Sequence, residues 1–143
     1  MGAIITQVRP ESLQFAAGSP GAVLGHMAAM AQRHRGWINF EPLVDDDRTP
    51  VPLCTWSPGE QRRRRVTPPV VGVQHHVGRR VADTVAVPEG WFVVQDHGRR
   101  GLVVRVLPDE PHDRVLRWLL DAGAALCPVT ITTWAADVFA VVG

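Results

Sequence analysis

The sequence predicts an α+β fold: a two-layer sandwich in which two amphipathic helices pack on a mixed or antiparallel sheet. Two segments, Ser19 to Arg35 and Pro111 to Cys127, repeat apolar residues at helical spacing. Short runs rich in valine, isoleucine and aromatic residues, separated by turn residues, occupy most of the remaining chain. Each helix carries one apolar stripe, and one sheet face can cover both. The order strand, helix, strand, long connection, several strands, helix, strand admits a ferredoxin-like core within a single domain of residues 1–143. A chain of that length buries roughly two-thirds of the surface it would expose unfolded, so one core is expected.

The opening Met1 to Thr6 lacks the basic start and long apolar stretch of a secretory signal and reads as a first strand. In the first helix Ser19 suits the N-cap, Pro20 the first helical position and Gly36 the residue past the end. Val23, Leu24, Met27, Met30, Ala31 and His34 form its stripe. The segment 37–44 follows as a strand ended by Asp45, Asp46 and Asp47. A Pro- and Arg-rich connection over 45–69 then carries five prolines, and its length predicts a flap or a mobile segment.

Val70 to Val77 is β-rich, and Val81 to Val87 is a further strand candidate. The runs 91–96 and 102–107 flank His97-Gly98-Arg99-Arg100-Gly101, the sequence of a β-hairpin. The second helix has Asp109 and Glu110 at its positive end and a stripe of Val115, Leu116, Leu119, Leu120, Gly123 and Leu126. Asp113 and Arg117 are spaced for an ion pair, and Trp118 falls at the stripe's edge. Residues 129–143 read as one or two closing strands.

Composition narrows the function. There is no lysine or tyrosine, Asn39 is the only asparagine, and all fifteen basic residues are arginine, the bias of a GC-rich genome. Charge is uneven: residues 62–105 carry a net +6, between segments of −2 and −3. A basic middle attracts an anionic partner or docks on acidic segments of its own or a second chain. Two distant cysteines offer neither a disulfide framework nor a zinc motif, which fits a reducing cytoplasm. No apolar run approaches the roughly 20 residues of a membrane span.

Several residues carry candidate chemistry. Arg62, Arg63, Arg64 and Arg65, with Arg79 and Arg80, could bind phosphates bidentately, although a solvated loop in an arginine-rich proteome is the commoner account of such a run. His34, His75 and His112 all point toward apolar faces and are weak candidates for a metal, lacking any local ligand spacing. Asp96 and His97 are neighbours on a strand and so point apart. Cys54 would need a histidine brought to it in space. The glycines from Gly18 to Gly25 open a helix, yet without the lysine of a phosphate-binding loop.

No cofactor is expected. The reading is a non-catalytic binding or assembly module that self-associates as a homodimer, with Trp91, Trp118 and Trp134 as interface candidates because amphipathic rings are enriched at interfaces. Nucleic-acid binding through 62–80 is one alternative, and a small enzyme or metal site built on the inward-facing histidines is the other.

Overall fold

A computed structural model defines the fold, with residues 7–142 described. In chain order the elements are β1 (Gln7–Ala16), α1 (Gly21–Arg33), β2 (Trp37–Pro42), β3 (Leu53–Ser57), β4 (Gln61–Arg62), β5 (Arg65–Val66), β6 (Val70–Gln74), β7 (Phe92–His97), β8 (Gly101–Arg105), α2 (His112–Ala125) and β9 (Thr133–Val142). Seven strands form one antiparallel sheet in the order β1-β9-β2-β3-β6-β8-β7, and β4 and β5 form a separate two-stranded ribbon.

The α+β two-layer sandwich with a ferredoxin-like core is therefore corrected: the chain is β-rich, dominated by a seven-stranded antiparallel sheet, with only two helices among the described residues. The extra strands come from the segment read as an irregular connection. Pro52 and Pro58 flank β3 without entering it, and a proline outside a strand removes no ladder hydrogen bond. Far from being a flap, β3 is a central strand, pairing Cys54 with both Phe40 and Val73. In β1, Pro10 is tolerated because β1 lies at the sheet edge, beside β9 alone. The strand expected over 1–6 lies outside the described residues.

The chain closes the sheet from within. After β8, α2 packs on β6 and β3 and returns the chain to β9, which inserts between β1 and β2. Alternation then sends one side chain in two toward the helices. Phe15 pairs with Trp134 on β1 and β9, and Phe40, opposite Ala136 of β9, continues through its register partners Cys54, Val73 and Leu102, so that one buried row crosses six strands. Val23, Met27 and Met30 of α1, with Val115, Leu116, Leu119 and Leu120 of α2, cover that row.

Smaller expectations shift as well. Ser19 does not cap α1: Pro20 occupies the N-cap without a side-chain bond, and His34, not a glycine, takes the left-handed position at the end with φ 51°. Val81 to Val87 is a turn, not a strand, closed by Val85 N–H donating to Val81 O at 3.0 Å. Arg114 pairs with Glu110 at 3.1 Å, the i,i+4 contact that spacing suggested for Asp113 and Arg117.

Candidate functional site

The arginine run is ordered. Gln61 pairs with Val66 and Arg62 with Arg65, so the four arginines form the tip of a two-stranded ribbon. The ribbon's base is pinned by Glu60 N–H donating to Thr67 Oγ1 at 2.7 Å and Thr67 N–H donating to Glu60 O at 2.9 Å. Gly59, with φ 84°, lets the two arms meet there: a Cβ at that position would sit 2.1 Å from Thr67 O. At the tip Arg63 adopts φ 56°, and the Gln61 side chain donates to its carbonyl at 3.1 Å.

Arg62 is held by Glu60, at 2.7 Å from Nη2 and 2.8 Å from Nε. Arg63, Arg64 and Arg65 are exposed and have no acidic partner among the described residues. Three guanidinium groups thus stand together at a hydrogen-bonded turn without an acidic partner among the described residues.

Arg79 and Arg80 do not join them. They follow the far end of β6, roughly 17 Å of extended strand away at about 3.3 Å per residue. They lie instead beside Arg99 and Arg100, because Gly98 presses on the backbone of Gly78 and Arg79; a Cβ on Gly98 would come within 2.6 Å of Gly78. His97 Nδ1 fixes the second loop by accepting from Arg99 N–H at 3.0 Å and Arg100 N–H at 3.1 Å. All four arginines are exposed, so the loop pair makes a second basic cluster. The pairing of Val73 with Leu102 brings these loops together, a tertiary relation that the run of residue types does not carry.

The remaining candidates do not converge. Asp96 accepts from Val81 N–H at 2.9 Å and Ala82 N–H at 3.1 Å, so both carboxylate oxygens cap a turn. Burial pushes the Cys54 thiol up to about 12, which removes the thiolate a nucleophile needs. His75 is 3% exposed beneath the Arg79 loop, while His34 and His112 lie elsewhere, and no group of three His, Cys, Asp or Glu side chains among the described residues is placed to hold a metal. The start of α1 faces Asp113 and Asp121 as well as Arg114 and Arg117, a mixed setting that does not favour an anion.

The tryptophans named for an interface turn inward. Trp134 belongs to the core row, Trp91 is buried and donates to Glu110 Oε2 at 3.2 Å, and Trp118 donates to Val85 O at 3.1 Å. Trp91 and Trp118 meet edge to face at 5.2 Å. Their polar tips serve the chain itself.

A cleft of about 440 Å³ opens beside the ribbon, lined by His34 at the end of α1, Trp56 of β3, Val66 and Thr67 of the ribbon, and Glu110 and His112 at the start of α2. Trp56 and His112 meet edge to face at 5.8 Å. Trp56 is 1% exposed and its Nε1 has no partner; nor do His34 Nδ1 and Glu110 Oε1 have hydrogen bonds. Leaving the Trp56 or His34 nitrogen unpaired costs about 1–3 kcal/mol, whereas Glu110 Oε1 has Arg114 Nη1 at 3.1 Å. Burial is the main influence that lowers the His112 pKa, so this imidazole is neutral near pH 7. Nothing in the residue pattern marked Trp56 or Glu110 as polar lining; only the fold brings them to one place.

Comparison with protein-family models, with curated proteins and with solved structures finds no match. The side chains alone carry the functional argument. No helix among the described residues is long and apolar enough to cross a membrane.

Proposed function

We propose that this protein is a non-catalytic binding module that grips duplex nucleic acid through the arginine-tipped ribbon. The observation that carries the reading is the projection of Arg63, Arg64 and Arg65 from a pinned turn without acidic partners. Guanidinium forks match phosphate oxygens bidentately, and a two-stranded ribbon is narrow enough for a major groove about 12 Å wide. Single strands fit less well: they are held by aromatic stacking, and no aromatic side chain stands on the ribbon. The cluster of Arg79, Arg80, Arg99 and Arg100 gives a long polyanion a second contact that one isolated phosphate would not reach.

Labelled duplex and single-stranded oligonucleotides, titrated against the wild type and Arg63→Gln/Arg64→Gln/Arg65→Gln, test this. Duplex binding lost in the triple variant supports the reading. Equal binding by both proteins, or binding by neither, overturns it.

Self-association is a second reading, favoured by a surface other than Trp91, Trp118 and Trp134. The sheet face turned away from the helices carries Phe92, 61% exposed, with Val94, Leu53 and Trp37. Arg105 lies over Phe92 toward one side of that face, and Glu41 and Asp137 lie toward the other. A second copy turned about an axis along β3 would lay the Arg105 side of the sheet over the side that carries Asp137, with Arg105 level with Trp37 and Phe139. Phe92→Glu should then lower the mass measured by analytical ultracentrifugation; a wild-type monomer contradicts this reading.

A further inference from the structure

We infer that a row of residues on the open face of the sheet, at the base of the ribbon, stacks the unpaired bases of a nucleic-acid strand, so that the preferred ligand is a duplex carrying a single-stranded extension. This rests on the proposed duplex grip and adds the part of the ligand that the ribbon does not hold. Extending the pairing of Ile38 with Trp56 by one residue sets Trp37 opposite Ser57. The strand registers then run from Phe139 through Trp37, Ser57, Val70 and Arg105 to Phe92. β3 leaves the sheet at Ser57 and β6 re-enters it at Val70, so the ribbon springs from the middle of this row. Alternation turns the row away from the helices, since the adjacent Ile38, Trp56, Val71 and Val104 are buried.

The row has stacking surfaces on both sides and smaller residues between them. Trp37 lies on Phe139 with ring centroids 4.9 Å apart and planes 13° from parallel, and it is 37% exposed. Phe139 belongs to β9, so it covers the side of the indole away from β3, and the other side faces the position of Ser57. A hollow of about 580 Å³ opens there, bounded by Trp37, Ser57, Gly59 and Gln61 and by Arg33 at the end of α1. Across β3 and β6 from Trp37, the Arg105 guanidinium stands 5.8 Å from the centre of the Phe92 ring, which is 61% exposed. The strand steps from β2 to β8 span about 14 Å at about 4.8 Å each, which accommodates about three bases stacked at about 3.4 Å between the indole and the guanidinium.

Charge commits the row to a polyanion. Arg105 is exposed without an acidic partner among the described residues, Arg33 borders the hollow, and Arg63, Arg64 and Arg65 stand beyond it on the ribbon. The acid that lines the hollow, Glu60, is held by Arg62. Asp137 and Glu41 share the open face but lie farther along β9 and β2 from the ribbon, where they repel a phosphate backbone and keep it to the ribbon end. Indole and guanidinium planes both stack on bases. The ribbon has no aromatic side chain and supplies phosphate contacts alone, so the two surfaces divide the ligand between them.

The test titrates the full chain with a blunt DNA duplex, with the same duplex extended by a short unpaired 3′ or 5′ end, and with the unpaired strand alone, read by fluorescence anisotropy. A 2-aminopurine base in the extension reports stacking by its loss of fluorescence. One of the two extensions should strengthen binding roughly tenfold or more over the blunt duplex, the contribution of a stacked base, and its 2-aminopurine should dim. Trp37→Ser should remove both effects and Trp37→Phe should keep most of each. If Trp37→Ser does not fold, Phe92→Ser, at the most exposed position of the row, should reduce the gain. Equal affinity for blunt and extended duplexes, or a gain that survives these serine variants, overturns the inference and leaves the ribbon's grip standing. Binding of the unpaired strand without binding of the blunt duplex overturns the grip and supports the stacking row. A wild-type dimer in analytical ultracentrifugation that binds blunt and extended duplexes alike assigns the face to a second copy and overturns the inference, and binding of no oligonucleotide overturns both.

Discussion

Gly98 lies against Gly78 so closely that a single added methyl carbon would meet the Gly78 carbonyl carbon at 2.6 Å, and this contact joins two loops carrying four arginines. The obstacle is backbone, which cannot swing aside as a flexible side chain could. Gly98→Ala should therefore cost about 1–3 kcal/mol, the usual range for overpacking, and should spread Arg79 and Arg80 from Arg99 and Arg100. Urea unfolding checks the first effect. Weaker duplex binding in the folded variant checks the second.

Arg63 sits at φ 56°, where a side chain is disfavoured by roughly 1–2 kcal/mol and glycine is not. Arg63→Gly should raise stability by about 1 kcal/mol at most, since glycine also loosens the unfolded chain. It should simultaneously weaken duplex binding. A gain in stability with a loss of binding would mark the turn as strained for function; a loss of both would remove that interpretation.

The two cysteines should differ in reactivity. Cys54 is fully buried between β3 and α2, its Sγ 3.8 Å from Leu119 O, with its pKa raised to about 12 by burial, whereas Cys127 is partly exposed beyond the end of α2. A thiol reagent should label one cysteine in the native protein and both in denaturant. Rapid native labelling of both would contradict the burial of Cys54.

Stability should fall in mild acid. Burial lowers the pKa of His75, against the opposing pull of Asp96, and burial likewise lowers that of His112. The unfolded chain protonates both near the ordinary value of 6.5, so it binds more protons than the folded chain. Their contribution is complete above that value and is lost as pH falls through it toward the folded values. The urea midpoint should drop between about pH 7.5 and about pH 5. His75→Gln should flatten part of the fall; an unchanged slope would assign it to other groups.

Periodicity made the helices legible because Met27, Met30, Leu116 and Leu119 face one layer at regular spacing. The hairpin of β7 and β8 was equally plain, its turn residues lying between two apolar runs. β3 was hidden by its flanking prolines, which resemble those of a loop until the pairing of Cys54 with Phe40 and Val73 is known. For the functional surfaces the arginine run was visible as composition, but its ribbon conformation depends on Thr67 closing onto Glu60. The contact of Gly98 with Gly78 and the cleft around Trp56 are relations between distant segments, and no local pattern encodes them.

The salt dependence of duplex binding tests the central claim most directly. For wild type, the logarithm of affinity should fall linearly with the logarithm of salt concentration. In Arg63→Gln/Arg64→Gln/Arg65→Gln the slope should shrink by roughly 2.7, the loss of about three phosphate contacts at 0.9 each. An identical slope in the two proteins, or no wild-type binding at low salt, would contradict the claim that the ribbon is a phosphate grip.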